Sequence, residues 1–264
     1  MKLQTLVVTV DQTDHSLVER MNLQTDAVVG NQGAKDSVED FSYRGNRITF
    51  YNSTQRGVGR NRNLVLEHSD ADVCILADDD LRFVDAYPER MKKAMEIAPD
   101  ADIWVFNLIE KTPQRYRIEK PMLLNKGNYG KFGAARLALR RSAVMDAGIR
   151  FSLLFGGGAK YGAGEDTLFL KECLDKRLKL VAVPIELAEI DQSAESTWFT
   201  GYHKKFFFDK GAAYRALYGK ADILHDLRYL LKYRKKYKGQ ISMFSALSSM
   251  LNGRKQFLRE ADVK

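Results

Sequence analysis

The sequence predicts an α/β protein with a Rossmann-like, mostly parallel sheet flanked by helices, followed by a helical C-terminal extension. Over roughly the first eighty residues, local patterns follow one another as strand, helix, strand, strand, helix, strand, which is typical of a parallel sheet. After about residue 187 the chain becomes aromatic, basic and helical, without a strand pattern. We therefore divide it into an α/β domain over residues 1–187 and a helical, basic extension over residues 188–264.

Short apolar and β-branched runs predict the strands, and apolar residues at helical spacing predict the helices. Pro88 suits the first turn of one helix, and Gly148 suits the end of another. The polar segment over residues 33–45 and the basic segment over residues 111–130 are expected to be loops. The predicted strands are residues 3–10, 27–29, 47–51, 73–77, 102–109, 134–139 and 180–183, and the predicted helices follow Asp14, Gly57, Pro88, Arg141 and Gly164.

Composition limits the kinds of binding partner and the cellular compartment that we expect for this protein. The 264 residues are 45% hydrophobic, enough for a sizeable core, and carry a net charge of +8. Excess Lys and Arg imply acidic partners such as nucleotide phosphates, anionic lipid or nucleic acid. Cys74 and Cys173 are too few for a disulfide framework, which favours a reducing cytosol. The N-terminus is too short and polar for a signal peptide, and no apolar run approaches the about 20 residues of a spanning helix.

Three carboxylates follow the apolar run of residues 73–77, whose length and β-branched content fit a buried parallel strand. Ligands collect at the carboxyl ends of such strands. Asp78, Asp79 and Asp80 repel one another and need a cation or hydrogen-bond donors to stay ionised together. Because side chains alternate, Asp78 and Asp80 are expected to face one way and Asp79 the other, as a clamp for a divalent ion that carries a phosphate-bearing substrate. The alternative is a solvated acidic turn that caps the next helix.

Residues 52–63, which read N-S-T-Q-R-G-V-G-R-N-R-N, are rich in arginine around a glycine-containing turn. Arg56, Arg60 and Arg62 can hold a diphosphate, since guanidinium groups match phosphate oxygens and helix N-termini attract anions. The alternative is a solvated basic helix face. A dinucleotide-binding fingerprint fails, because Arg62 stands where the third glycine is required.

The third notable motif is Gly164-Glu165-Asp166, which follows the glycine-rich residues 156–164. A glycine-rich loop in this place suggests a mobile cover over a site. It lacks the Gly-Lys-Ser/Thr ending of a P-loop. A carboxylate so placed can act as a general base on an attacking hydroxyl, or can simply cap its helix.

The order of these motifs resembles the family 2 glycosyltransferases, nucleotide-sugar enzymes of the GT-A fold. The family's Asn-x-Gly-x-x-x-Ala-Arg-Asn helix start is similar to residues 52–63, with Arg62-Asn63 matching its Arg-Asn pair, although the spacing after the asparagine is longer here. Its Asp-x-Asp resembles residues 78–80, its Phe-Asp-Glu-x-Phe-Gly-Gly loop resembles residues 151–157, and its Glu-Asp pair resembles residues 165–166. The resemblance covers roughly residues 1–187.

This resemblance implies a nucleotide-diphosphate sugar donor, with a UDP-sugar favoured, and inversion at the anomeric carbon. It implies Mg²⁺ or Mn²⁺ held by Asp80, with Asp78 near the ribose or the metal. It implies Asp166 as the base, with Glu165 beside it. A divalent ion would neutralise the departing diphosphate while the base activates the acceptor hydroxyl. The donor-binding candidates are Thr9, Asn31, Gln32, Arg56, Arg60, Arg62, Asp78 and Asp79.

The sequence departs from the family pattern at two strand ends. The first strand ends in Thr9-Val10-Asp11-Gln12 instead of a Pro-x-Tyr-Asn-like turn. The second strand ends in Asn31 and Gln32 instead of an aspartate that reads uracil, so the identity of the base stays open. Asn or Gln can pair with a base edge, and the alternative is that either merely shapes a turn. Some GT-A enzymes complete the metal shell with a histidine from the C-terminal region, and His203 is the candidate; the alternative is a surface histidine.

Other classes of function stay open at this point. A metal-dependent nucleotidyltransferase also uses carboxylate-bound metal, but the first strand is not followed by a glycine-rich triphosphate loop. A haloacid-type phosphatase would need threonine where Arg82 stands. A basic nucleic-acid-binding module is permitted by the charge, but it would gain nothing from a buried acidic strand end. We therefore favour a glycosyltransferase of bacterial surface polysaccharide or glycan synthesis, without a nucleic-acid partner.

The C-terminal extension allows two interpretations. Ile223, Leu227, Leu230 and Leu231 share one face of a predicted helix over residues 222–238. Basic residues are dense on the same helix, and the face is either packed on the catalytic domain or inserted at an anionic membrane surface. The second interpretation suits a lipid-linked sugar acceptor at the inner face of the membrane, and the first a soluble glycan acceptor. The aromatic candidates for stacking or packing are Trp198, Tyr229, Tyr233 and Tyr237.

Overall fold

A computed structural model describes residues 1–111, 116–191 and 201–261. Within these ranges, one ten-stranded sheet forms the centre of the molecule. Its strands are β1 (Leu3–Val10), β2 (Asp26–Gln32), β3 (Ser37–Tyr43), β4 (Asn46–Ser53), β5 (Val73–Asp78), β6 (Leu81–Phe83), β7 (Ile103–Ile109), β8 (Met122–Leu123), β9 (Leu137–Arg140) and β10 (Leu180–Ile190). The helices are α1 (Ser16–Arg20), α2 (Val58–Glu67), α3 (Tyr87–Ile97), α4 (Arg141–Asp146), α5 (Glu165–Asp175), α6 (Lys204–Tyr218), α7 (Asp222–Tyr237) and α8 (Met243–Ala261).

The strand order is β3-β4-β2-β1-β5-β9-β7-β10-β6, with β8 paired to β10. Strands β4, β2, β1 and β5 run parallel to one another. Asn31 is in register with Thr9 on one side and with Asn52 on the other, and Asp78 is in register with Val8. The carboxyl ends of four strands therefore meet at one edge of the sheet, where ligands collect in open α/β folds.

The parallel strands are buried on both faces, which explains their continuous apolar runs. Val7 and Ile75 belong to a core on one face of the sheet. Leu6 and Leu76 belong to the core on the other face, with Phe169 of α5. The mostly parallel sheet flanked by helices confirms the predicted fold class.

The prediction of a loop over residues 33–45 is wrong, because β3 forms a hairpin with β4 there. Arg44 and Gly45 both have positive φ, 50° and 80°, as a tight hairpin turn requires. Strand β3 lies at the edge of the sheet and alternates between half-buried and exposed residues, so its sequence is polar. The strand predicted over residues 134–139 begins later, at Leu137, and β10 continues to Ile190, three residues past the predicted domain boundary.

Helices α6, α7 and α8 form the helical C-terminal region, with a core of their own. Phe207, Leu230, Tyr237 and Met250 are at most 1% exposed in this core. Leu230 is therefore buried between helices, while the other three residues of the predicted α7 face are partly or largely exposed. None of the described helices has the length and apolar character that a membrane span requires.

Candidate active site

A chain of polar side chains runs along the edge where the parallel strands end. The Asn31 side-chain amide donates to Asn52 Oδ1 over 2.7 Å and to the Gln12 carbonyl oxygen over 2.9 Å. The Thr9 hydroxyl donates to Asp79 Oδ2 over 2.5 Å. Three predicted donor-binding residues thus lie together, at the ends of β1, β2 and β5.

Arg62 joins the three motifs found in the sequence. Its Nη2 donates to Asp78 Oδ1 over 2.8 Å, and its Nη1 donates to Asp166 Oδ1 over 2.8 Å and to Glu165 Oε1 over 3.2 Å. The Arg62 side chain is only 5% exposed, and its guanidinium carbon lies 5.4 Å from the centre of the Phe151 ring. Although burial opposes its charge, the carboxylates raise the pKa of Arg62 above its ordinary value. This residue was predicted to bind phosphate, but here it pairs with carboxylates.

The glycine-rich segment predicted as a mobile cover is fastened to α2. The Val58 amide donates to the Gly157 carbonyl oxygen over 2.8 Å. Asn63 accepts from the Phe151 amide over 2.8 Å and donates to the Phe151 carbonyl oxygen over 2.9 Å. A Cβ added at Gly59 would overlap with the carbonyl oxygen of Ser152, so only glycine permits this approach. These contacts place α2 against the segment that leads to Glu165.

Negative charge dominates this edge of the sheet. Desolvation raises the pKa of Glu165 to about 7, and repulsion by Asp166 adds to the effect while Arg62 opposes it. Desolvation beside the sheet edge, together with repulsion by Asp78 and Asp79, raises the pKa of Asp80 to about 6. One guanidinium thus serves three carboxylates, and Asp79 and Asp80 add further negative charge. An added cation is therefore favoured.

The acidic residues fit a hard divalent ion that arrives with a diphosphate. Asp80 is exposed. One carboxylate oxygen of Asp78 accepts from Arg62, and one of Asp79 accepts from Thr9. Magnesium is commonly bound through one or two carboxylates plus substrate phosphates. Within the described ranges, no three His, Cys, Asp or Glu side chains form a group that could hold a metal by themselves.

The other predicted site residues lie around this centre. Arg56, which is exposed, donates to Asp11 Oδ1 over 2.8 Å and to the Gln32 carbonyl oxygen over 3.0 Å. Gln32 Oε1 accepts from the Gly57 amide, and Arg60 donates to Gln55. These residues shape the turn before α2.

His203 precedes α6 and caps its N-terminus, since its side chain accepts from the Phe206 amide over 3.3 Å. It lines a cavity whose walls do not include the acidic strand end. Trp198 lies outside the described residues. Tyr229 and Tyr233 pack against the core of the helical C-terminal region, of which Tyr237 is a buried member, as the packing interpretation predicts.

Sequence reasoning missed Asn61, which is buried beneath the site. Its side-chain amide donates to the Gly30 carbonyl oxygen over 2.7 Å, and a Cβ at Gly30 would overlap with it. It also missed the role of Arg62 as a counter-charge. The signal was present, since two separate acidic motifs at a buried edge require a buried cation.

The mostly parallel sheet with helices on both faces agrees with the GT-A fold that the motifs predicted. The family model described as "Glycosyl transferase family 2" matches residues 9–153. This match covers more than half of the chain, which belongs to that family. The predicted family and enzyme class are therefore confirmed.

Solved structures agree on the fold. Residues 1–349 of S. aureus TarS, crystallised with UDP-GlcNAc, give a TM-score of 0.63 at 11% identity, covering 98% of this chain and 92% of that one. The same fragment in complex with UDP gives a TM-score of 0.61 at 11% identity, again covering 98% of this chain and 92% of that one. A longer TarS structure gives a TM-score of 0.61 at 12% identity, and the match spans 55% of its length. No curated protein sequence matches the chain.

Proposed function

We propose that this glycosyltransferase moves a sugar from a UDP-sugar to an acceptor hydroxyl, with inversion at the anomeric carbon, in the synthesis of a surface polysaccharide or glycan. The observation that carries the proposal is the Arg62 cluster. It brings the acidic strand end of β5 and the start of α5 to one place at the ligand edge of the sheet. The choice of uridine is supported by the UDP-GlcNAc and UDP that the structurally similar TarS binds.

The donor end of the site is assigned to the polar strand ends. Asn31 is proposed to order the floor beneath an incoming base through its bonds to Asn52 and Gln12, and Thr9 fixes Asp79 beside it. Asp80, with Asp78 next to it, is proposed to hold Mg²⁺ or Mn²⁺. When bound, the ion would neutralise the charge of the leaving diphosphate. The exposed guanidinium groups of Arg56 and Arg60 supply further positive charge along the same edge.

Asp166 is proposed as the base, and Glu165 as its buried neighbour. Both carboxylates contact Nη1 of Arg62, but the Asp166 side chain is 28% exposed and that of Glu165 only 10%. An acceptor hydroxyl can therefore reach Asp166 more readily. The oxygen of the acceptor hydroxyl would attack the anomeric carbon as the hydroxyl proton passes to Asp166. The bond from that carbon to the diphosphate oxygen breaks, and UDP leaves.

The acceptor is proposed to be a glycan or a lipid-linked sugar, and the enzyme is proposed to be cytoplasmic at the inner face of the membrane. On α7, Leu224, Leu227 and Leu231 are 69%, 42% and 66% exposed. Their spacing puts them on one face of the helix. Basic residues on the same helix supply charge that complements anionic headgroups: Arg228, Lys232, Arg234, Lys235 and Lys236. Such a face supports peripheral binding to an anionic membrane.

The donor assignment is tested by Asp80→Ala. We expect manganese-dependent affinity for UDP to fall about 10-fold or more, because a ligand to the ion and its diphosphate is removed. Calorimetric titration with UDP and Mn²⁺ measures the affinity. Asp100→Ala, which removes a carboxylate 83% exposed elsewhere on the surface, is the matched control. Wild-type affinity in Asp80→Ala would refute the metal assignment.

A further inference from the structure

A cavity of about 790 Å³ reaches the start of α5, the helix that carries the proposed base. Its walls are residues 126–131, residues 159–160 and 162–164 of the glycine-rich segment, and one face of α6. Thr167 also lines it, one residue from Asp166 on α5. This volume suits a ligand of a few sugar rings. Tyr129, Tyr214 and Tyr218 offer aromatic surface.

Lysines dominate the charge of this cavity. Three of the lining lysines pair with acidic side chains: Lys126 with Asp175, Lys160 with Glu260 and Lys205 with Asp209. The other two are Lys131 and Lys210. Neither has an ion-pair partner among the residues that the structure describes.

Both unpaired ammonium groups lie on aromatic rings. Lys131 Nζ is 4.2 Å from the centre of the Tyr116 ring. Lys210 Nζ is 4.5 Å from Tyr229 and 5.2 Å from Tyr214. Ring faces stabilise a cation only partly. Burial lowers the pKa of Lys210 to about 8, although the charge of Asp226 opposes this. An anion in the cavity would complete the environment of Lys210.

We infer that this cavity binds the acceptor and that the acceptor carries phosphate or carboxylate groups, which Lys131 and Lys210 recognise. The inference rests on the proposed function, because it takes Asp166 as the base. Sugar rings fit against the tyrosines, while a charge-assisted hydrogen bond to each ammonium fixes the anionic groups. A neutral glycan would leave Lys131 without a counter-charge among the described residues, and the largely desolvated Lys210 with only the charge of Asp226.

The test uses the full chain with saturating UDP and Mn²⁺, so that probe anions cannot occupy the donor site. Three oligomers of matched length are titrated: a hyaluronan hexasaccharide for carboxylate, a glycerol phosphate hexamer for phosphate, and neutral maltohexaose. We expect one anionic probe to bind at least tenfold more tightly than maltohexaose. Lys131→Met and Lys210→Met should each weaken it about tenfold or more. Lys93→Met, on the exposed face of α3, should leave it unchanged.

Two controls separate this inference from the proposed function. UDP and Mn²⁺ are also titrated into every variant without oligomer. A wild type that does not bind UDP refutes the proposed donor only, because the oligomer affinities of the wild type and of the two lysine variants still decide the cavity. Thermal unfolding checks that the variants fold. If Lys210→Met is unstable, Lys131→Met still tests whether a lysine of this cavity binds the anion. Equal affinity for charged and neutral oligomers, or anionic affinity that survives both substitutions, overturns the inference.

Discussion

At the scale of single residues, Arg62 organises the site. A buried cation shared among carboxylates is stabilised only as long as all partners remain, and removing one side leaves uncompensated charge. Its two Nη atoms hold Asp78, Glu165 and Asp166 in fixed positions. The planar guanidinium is suited to this task, since it donates in several directions at once.

We expect Arg62→Met to lower the free energy of unfolding by about 3 kcal/mol, because it leaves the carboxylates facing one another without a cation. Chemical denaturation measures the change. Arg60→Met on the same helix is the control, since Arg60 is exposed, and a surface substitution is expected to stay within about 0.5 kcal/mol. Equal stability of the two variants would contradict the role given to Arg62.

The base is tested by two amide substitutions. Asp166→Asn should keep UDP affinity and lose about 10²-fold or more in kcat, since an amide cannot take the acceptor proton. Glu165→Gln should lose less, because the Glu165 side chain is only 10% exposed and pairs with Arg62, so an acceptor hydroxyl reaches it less readily. Steady-state kinetics with the true acceptor decides. Normal turnover by Asp166→Asn would leave Asp166 only as a partner of Arg62.

At the scale of elements, two glycines set the distance between α6 and α8. A Cβ at Gly211 would overlap with the Met250 carbonyl oxygen, and a Cβ at Gly253 would overlap with that of Phe208. The backbones of the two helices therefore touch at both points. Sequence reading treated this region only as amphipathic helices, because close approach leaves no periodic signal.

Gly253→Ala should lower the free energy of unfolding by about 1–3 kcal/mol, because the added methyl group forces the two helices apart. Without the clash, alanine inside a helix would stabilise by up to about 1 kcal/mol, so the sign of the change tests the packing. Gly239→Ala, in the turn after α7, is the control for the loss of glycine freedom without a clash, since no atom lies within 4 Å of its added Cβ. Stabilisation by both substitutions, seen in thermal unfolding, would refute the close contact.

At the scale of the whole molecule, the net charge of +8 and the apolar face of α7 determine the proposed membrane contact. Each basic residue near an anionic surface contributes about 1 kcal/mol. Removing the chain from residue 222 onward would be a poor test, because Leu230, Tyr237 and Met250 would be lost from the core that contains Phe207. Substitutions on the exposed face preserve that core.

We expect wild-type protein to sediment with vesicles that contain phosphatidylserine and to be released by salt, since surface charge attraction is screened. Changing Leu224, Leu227 and Leu231 to serine should abolish sedimentation. The control changes Val38 and Leu123, which are 57% and 58% exposed elsewhere, to serine and should sediment like the wild type. Equal sedimentation of both variants, or none by the wild type, would leave α7 without a membrane role.

The sequence by itself determined the fold class and the identity of the chemical motifs. Strands β1 and β5 were predicted with nearly correct ends, because strands buried on both faces are mostly apolar. Strand β3 was missed, since an edge strand needs no apolar run. The sequence also showed the acidic strand end, the basic helix start and the Glu165-Asp166 pair. Charged residues next to an apolar segment can be read directly from the order of the amino acids.

Only the tertiary structure decided which of these charges meet. Arg62 pairs with Asp78, 16 positions away, and with Glu165 and Asp166, 103 and 104 positions away, so no local pattern could distinguish a phosphate ligand from a counter-charge. The same holds for α7, where Leu230 is buried and Leu231 exposed. Periodicity shows that a helix has an apolar side, but the side that is covered depends on where the other helices pack.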